Sequence, residues 1–214
     1  MDVFGPVRTA DLRLHNGSPS KHGPDQVVQA LKFLPHHQAL LGDVRIIDFG
    51  QCFNMDDPPK GLGIPMPYFP PELCFGYAPS KATDVWALAC IIFEVQIRQR
   101  LVPMVFESFE LLIGMLRFTL GVLPSAWISK YSDDYAGEVL QGKGAPEIWF
   151  DSTEPLEWPL TSTVHEKASH LSLAKKEELL DLLRAMLAFE PTERISVADV
   201  LNHAWLREDE PTSG

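Results

Sequence analysis

The sequence predicts a mainly α (α+β) protein with one short β region and a bundle of helices. Apolar residues recur at helical spacing in four segments, which argues for helices. A single β-branched run, Val44-Arg45-Ile46-Ile47, has strand character. The stretch from Gln51 to Pro71 is broken by Pro58, Pro59, Gly61, Gly63, Pro65, Pro67 and Pro70, so it excludes regular structure.

Residues 1–39 are rich in Pro, Gly, His and Ser and have weak periodicity, so they read as loop or a poorly ordered extension. The Val44–Ile47 strand closes on a turn at Asp48-Phe49-Gly50. Val85, Leu88, Ala89, Ile92 and Phe93 then fall at i, i+3, i+4, i+7 and i+8, with Ser80 or Thr83 as the cap. Trp86, Ala87, Cys90 and Ile91 fill the other faces, and a helix apolar nearly all round belongs in the middle of a domain. Ser108 to Leu120 forms a second helix, stopped by Gly121. Residues 124–170, with Pro124, Trp127, Trp149, Pro155 and Trp158, read as a long anchored loop. Ala174 to Phe189 is amphipathic and ends before Pro191. Ser196-Val197-Ala198-Asp199 has capping-box spacing and opens a last helix, with Val197, Val200, Leu201 and Trp205 inward.

Composition narrows the function classes. The 214 residues carry 18 Lys plus Arg against 29 Asp plus Glu, a net charge of −11. That balance argues against nucleic acid and favours a basic partner. The longest apolar run, Val85 to Phe93, stops at Glu94 and is too short to cross a bilayer. Met1-Asp2 is not followed by a basic region and an apolar run, so no signal peptide is expected and the setting reads as intracellular. Cys52, Cys74 and Cys90 are widely spaced among apolar residues, which points to reduced, buried thiols and away from a zinc site.

Four motifs then occur in order. Asp48-Phe49-Gly50 follows the strand, and Pro70-Pro71-Glu72 follows the Pro-rich segment. Next comes Lys81-Ala82-Thr83-Asp84-Val85-Trp86-Ala87-Leu88-Ala89-Cys90. Last is Met186-Leu187-Ala188-Phe189-Glu190-Pro191-Thr192-Glu193-Arg194-Ile195, with His203-Ala204-Trp205-Leu206 beyond it. The series resembles the C-terminal lobe of a eukaryotic protein kinase, from residue 40 to about 207, with a tail over 208–214. Ile64-Pro65-Met66-Pro67-Tyr68-Phe69-Pro70-Pro71-Glu72-Leu73 and the segment from Ser80 are similar to the serine/arginine-rich-protein kinases, especially the fungal ones. In those kinases an insert separates the catalytic loop from the Asp-Phe-Gly triplet, and residues 1–39 look like the end of one. Phe69 departs from the Arg usual in the wider group, and Ala89 from the usual Gly.

The resemblance implies roles. Asp48, with Phe49 and Gly50, would hold Mg²⁺ against the phosphates of ATP. Glu72 and Arg194 would form a buried ion bridge. Asp84 would accept backbone hydrogens from a catalytic loop, or serve as a helix N-terminal acid favoured by the dipole. Trp86 and Trp205 read as core aromatics. Ile64, Pro65, Tyr68 and Phe69 would line a substrate pocket for a basic Arg/Ser-rich protein. Residues 51–71 contain no Ser or Thr, and Tyr68 is their one hydroxyl, so Ser/Thr phosphorylation of this loop is excluded. Asp56 and Asp57 read as a fixed charge in place of phosphate or as a solvated turn.

No G-x-G-x-x-G loop, Val-Ala-Ile-Lys strand or His-Arg-Asp catalytic loop with its metal-binding Asn is seen, so no catalytic base is assigned and the chain alone is expected to be inactive. The alternative is a non-catalytic binding protein that uses an acidic face such as Asp133, Asp134 and Glu138. His36-His37, His165 and His170 read as loop residues. The surface that would face ATP, with Phe49 and Val44–Ile47, is expected to be exposed and to associate.

Overall fold

The computed structural model describes residues 8–19, 21–29, 46–103, 108–130, 147–151, 153 and 155–207. They fall in two compact units, Met1–Phe49 and Gly50–Gly214.

The first unit holds β1 (Thr9–Asp11) and β2 (Gln26–Val28), an antiparallel pair with Thr9 opposite Val28 and Asp11 opposite Gln26. A bridge between Arg13 and Pro19 extends it toward a tight turn at Asn16-Gly17, where φ of +80° at position 17 suits glycine. This pairing lies inside the stretch expected to be irregular. Every strand residue is exposed, so neither face imposes an apolar alternation that sequence patterning could register. The expected strand at Val44–Ile47 fares differently: Ile46 and Ile47 carry no strand assignment and are about 80% exposed, while Val44 and Arg45 lie outside the described residues.

The second unit is mostly helical. Its first helix, α1 (Lys81–Ile97), is capped by both candidate residues: Ser80 Oγ accepts from the Ala82 N–H at 3.2 Å and Thr83 Oγ1 accepts from the Ser80 N–H at 3.0 Å. Val85, Trp86, Ala89, Cys90 and Phe93 are buried, but Leu88, Ile91 and Val95 are exposed. The helix is therefore not covered all round. An apolar stripe, running from Asp84 to Arg98, faces solvent among the described residues.

α2 (Phe109–Leu120) starts on Ser108, whose Oγ accepts from the Leu111 N–H, and ends at Gly121 with φ of +119°. The stretch expected to be a long loop contains α3 (Leu160–Lys167), whose Thr-rich sequence hides its helical period. Trp127 and Trp149 anchor that stretch in the core, whereas Trp158 is half exposed. α4 (Leu173–Met186) stops three residues earlier than expected and packs on both α1 and α3 through Leu179, Leu183 and Met186. The last helix, α5 (Val197–Leu201), is little more than one turn. Only Val200 is buried there. Val197 and Leu201 are exposed and Trp205 is half-buried, because a single turn presents one position to the core.

Arg117, which sequence patterning does not single out, is 1% exposed on α2. Its Nε donates to the Ile148 carbonyl at 3.2 Å and its Nη2 to that of Asp151, mooring residues 147–151 to the helix. Its guanidinium lies 5.7 Å from the Phe118 ring centroid.

Two of the three thiols are buried as expected. Cys52 is not: it sits in the exposed stretch after the Asp-Phe-Gly turn. Burial pushes Cys90 from 9.0 up to about 12 and Cys74 well above 9.0. A disulfide reagent at pH 8 should therefore titrate one thiol in the folded chain and three after urea; a second thiol reacting before unfolding would contradict this packing. The raised native values also set a sign. The neutral buried thiols leave stability intact below pH 9, and stability falls as pH rises from 9 toward 12.

Candidate active site

Asp48 has a left-handed backbone, φ +65°, which Asp tolerates better than most residues because its short side chain can bond locally. Its carboxylate is exposed and has no partner among the described residues. Phe49 opens a one-turn 3-10 helix, Phe49–Gln51, with its ring exposed. Beyond it, Gln51 Oε1 accepts from the Gly63 N–H at 3.0 Å, tying the start of the Pro-rich segment to its middle. A Cβ at position 63 would meet the Gln51 amide at 3.3 Å, so the approach requires glycine or a shift of that side chain.

The four residues expected to line a substrate pocket separate. Ile64 is half-buried against the core and Pro65 is exposed. Tyr68, on the 3-10 turn Met66–Tyr68, donates its Oη to Glu94 Oε2 of α1 at 2.7 Å. That bond, followed by burial, raises the phenol above 10.0. Phe69 is buried instead, its ring 5.0 Å from that of Phe109. An apolar side chain here serves packing, where an Arg would need a charged partner.

The next residues form the most tightly bonded point of the fold. Glu72 lies on the 3-10 turn Pro71–Phe75, which ends at Gly76 with φ of +74°. Both its oxygens accept from Arg194, Oε1 from Nη1 and Oε2 from Nη2, each at 2.8 Å. Arg194 Nη1 also donates to the Ala82 carbonyl at 2.8 Å, Nε to Ala188 at 2.9 Å and Nη2 to Phe189 at 3.0 Å. All five guanidinium N–H groups are thus used, with both side chains inaccessible to solvent. The guanidinium also lies 5.0 Å from the Trp86 ring, and Phe189 stacks on that ring at 6.4 Å. Asp84 is exposed in the first turn of α1 and has no hydrogen bond to a described residue, a position that suits a helix N-terminal acid.

One expectation of the sequence reading needs amending. Thr9-Ala10-Asp11-Leu12-Arg13-Leu14-His15-Asn16 carries Asp-Leu-x-x-x-Asn, the spacing of the kinase catalytic loop. Thr9-Ala10 in place of His-Arg conceals it; the spacing was the available signal. Asp11 ends β1 and pairs with Arg13 at 2.8 Å, while Asn16 Oδ1 accepts from Ser18 N–H and Oγ in the adjoining turn. His165 contacts Glu177 at 3.0 Å and His170 contacts Gln96 at 3.1 Å. Among the described residues no group of three metal-capable side chains occurs, and no helix is long and apolar enough to cross a membrane. His36, His37, Asp133, Asp134 and Glu138 lie outside the described residues.

Proteins similar to this chain include protein kinases. The chain is 29% identical over 184 residues to cyclin-dependent kinase 12 of Drosophila melanogaster, covering 79% of this chain and 14% of that protein. It is 29% identical over 178 residues to the dual specificity protein kinase CLK2 of Homo sapiens, covering 78% and 33%. The serine/threonine-protein kinase ppk5 of Schizosaccharomyces pombe is 30% identical over 164 residues, covering 76% and 18%. The chain thus spans less than half the length of these relatives. Residues 33–206, which hold Asp48, Glu72 and Arg194 but begin downstream of Asp11 and Asn16, match the protein kinase domain model, and the chain belongs to that family.

Proposed function

We propose that the chain is part of a Ser/Thr protein kinase domain of the serine/arginine-protein kinase type, and that it does not transfer phosphate by itself. The observation carrying this reading is the Glu72–Arg194 clasp. It seats Pro70-Pro71-Glu72 directly on the first turn of α1 through the Ala82 carbonyl, so the segment that would meet a protein substrate is fixed without added phosphate. Asp48, an exposed carboxylate free of partners among the described residues, suits a hard cation, and the Asn16 amide oxygen, once released from Ser18, would be the second protein ligand. Asp11 would accept the proton of the substrate hydroxyl, once released from Arg13. Bound Mg²⁺ and ATP would supply the phosphoryl group and neutralise charge on its oxygens. The 214 residues hold neither a G-x-G-x-x-G loop nor a Val-Ala-Ile-Lys strand, the parts that cover and grip the phosphates, which supports inactivity of this chain alone. Exposed Ile46, Ile47 and Phe49 favour association through that surface.

The net charge of −11 favours a basic Arg/Ser-rich substrate. Fluorescence anisotropy should show an Arg-Ser repeat peptide binding the purified chain and weakening as salt rises, with no binding of an Ala-Ser repeat. Equal binding of both peptides would overturn the substrate class. With ATP and Mg²⁺ the Arg-Ser peptide should remain unphosphorylated; metal-dependent turnover lost in Asp48→Ala would overturn the inactivity.

A further inference from the structure

Asn16 and Gly17 form the tight turn beyond β1, closed by the Leu14 N–H on the Ser18 carbonyl and by the Gly17 N–H on the Leu14 carbonyl, each at 2.8 Å. The Asn16 side chain folds back over the peptide that follows it. Its Oδ1 accepts from the Ser18 N–H at 3.1 Å and from Ser18 Oγ at 2.7 Å, while its Nδ2 makes no hydrogen bond to a described residue. Asn16 and Gly17 are exposed, and nothing lies within 4 Å of where a Cβ at position 17 would stand. The other asparagines of the sequence are held differently. Asn54 Oδ1 has one donor among the described residues, the Asp56 N–H at 3.1 Å, and the bulkier Met55 follows it. Asn202 Nδ2 is engaged, donating to the Ala198 carbonyl at 2.8 Å.

We infer that Asn16-Gly17 is a self-modification site, at which the folded chain converts the Asn16 amide through a succinimide into aspartate and isoaspartate. The Gly17 N–H first leaves the Leu14 carbonyl and gives its proton to solvent base. A bond from Gly17 N to Asn16 Cγ forms, the bond from Cγ to Nδ2 breaks, water protonates the departing nitrogen, and ammonia leaves. Water then adds to one of the two ring carbonyls. Breaking the bond from Gly17 N to Cγ yields aspartate, and breaking the bond from Gly17 N to the main-chain carbonyl carbon yields isoaspartate. Three features of the turn favour this course. Glycine leaves the attacking nitrogen unshielded by a side chain. The two Ser18 donors face Oδ1, where negative charge develops during attack, as donors do in an oxyanion hole. Nδ2 departs without breaking a bond to the protein. The product carries a carboxylate in place of a neutral amide, and its isoaspartate form adds a methylene to the main chain between the bonds that close the turn. Where Asn16 serves as a cation ligand, as proposed above, the first form adds charge to that ligand and the second moves it. The modification itself does not rest on that reading.

The test ages the purified full chain in neutral buffer made with ¹⁸O-water and maps its peptides by mass spectrometry. Asn16 should convert first, taking up one heavy oxygen and giving separable aspartyl and isoaspartyl peptides. Asn54 should follow and Asn202 should come last. Conversion of Asn16 should quicken as pH rises, because attack needs the Gly17 nitrogen without its proton. Ser18→Ala, which keeps the N–H donor and removes the hydroxyl, should slow it about fivefold, the worth of one neutral hydrogen bond expressed as a rate. That difference should vanish in urea, where the turn no longer holds Ser18 against Oδ1. Gly17→Val, which shields the nitrogen, should keep the amide. Conversion of Asn54 or Asn202 ahead of Asn16 would overturn the inference. So would aspartate formed without isoaspartate, which would mean direct hydrolysis, or equal rates in the folded parent and Ser18→Ala.

Discussion

Replacing Glu72 with Gln is expected to lower the unfolding free energy by about 3–5 kcal/mol, the cost of leaving a buried charge uncompensated. Gln keeps the shape of Glu and can still accept one hydrogen bond, so the loss isolates charge from volume. The Arg194 guanidinium would remain inside the protein with three carbonyls, those of Ala82, Ala188 and Phe189, and no anion. Domain stabilities are about 5–15 kcal/mol, so the variant should unfold at a clearly lower urea concentration. Replacing both partners, Glu72→Met with Arg194→Met, should cost less than Glu72→Gln alone, because the desolvation penalty of both charges disappears together. A urea midpoint for Glu72→Gln within about 0.5 kcal/mol of the parent, the range of ordinary surface substitutions, would show that the pair is not the clasp described.

Trp86→Ala should cost a similar amount, about 3–5 kcal/mol, by a different route. The ring is 1% exposed on the inner face of α1, with the Arg194 guanidinium over it and Phe189 stacked beside it. Truncation removes that apolar burial and leaves a cavity that surrounding backbone can only partly close. It also removes the surface on which Arg194 lies. The Trp86→Ala and Arg194→Met costs should therefore fail to add, with a coupling of about 0.5–3 kcal/mol in a double-mutant cycle. Additive costs would mean that the ring and the guanidinium do not cooperate.

The parts of this fold that sequence made legible are those whose residues carry their own local reason. Ser80 with Thr83, and Ser196, cap the helices they were expected to open, each just before an apolar period. Glu72 and Arg194 were paired by motif although they stand far apart in the chain, and the structure brings them to 2.8 Å. The pieces that escaped lack such a reason. β1 and β2 bury nothing, α3 is Thr-rich and short, and Arg117 looks like any surface cation until the carbonyls of residues 147–151 are seen around it. Leu88 and Ile91 misled in the opposite direction. A helix apolar nearly all round was expected to be covered on every side, but both are exposed. Tyr68 was placed in a pocket by motif, yet its partner Glu94 lies 26 residues on and could be identified only in three dimensions.

The same clasp bears on how long the native state lasts. Glu72 and Arg194 stand 122 residues apart, and Ala82 and Arg194 112 apart. Bringing such distant groups together requires most of the intervening chain to be ordered first, since long loops are closed only against their entropy. The clasp should therefore close late, when the helices it joins have already docked. Bonds made after the rate-limiting step leave the speed of folding nearly untouched and slow the reverse reaction. The five hydrogen bonds of Arg194 should then act as a kinetic lock, setting the lifetime of the folded chain more than the ease of reaching it.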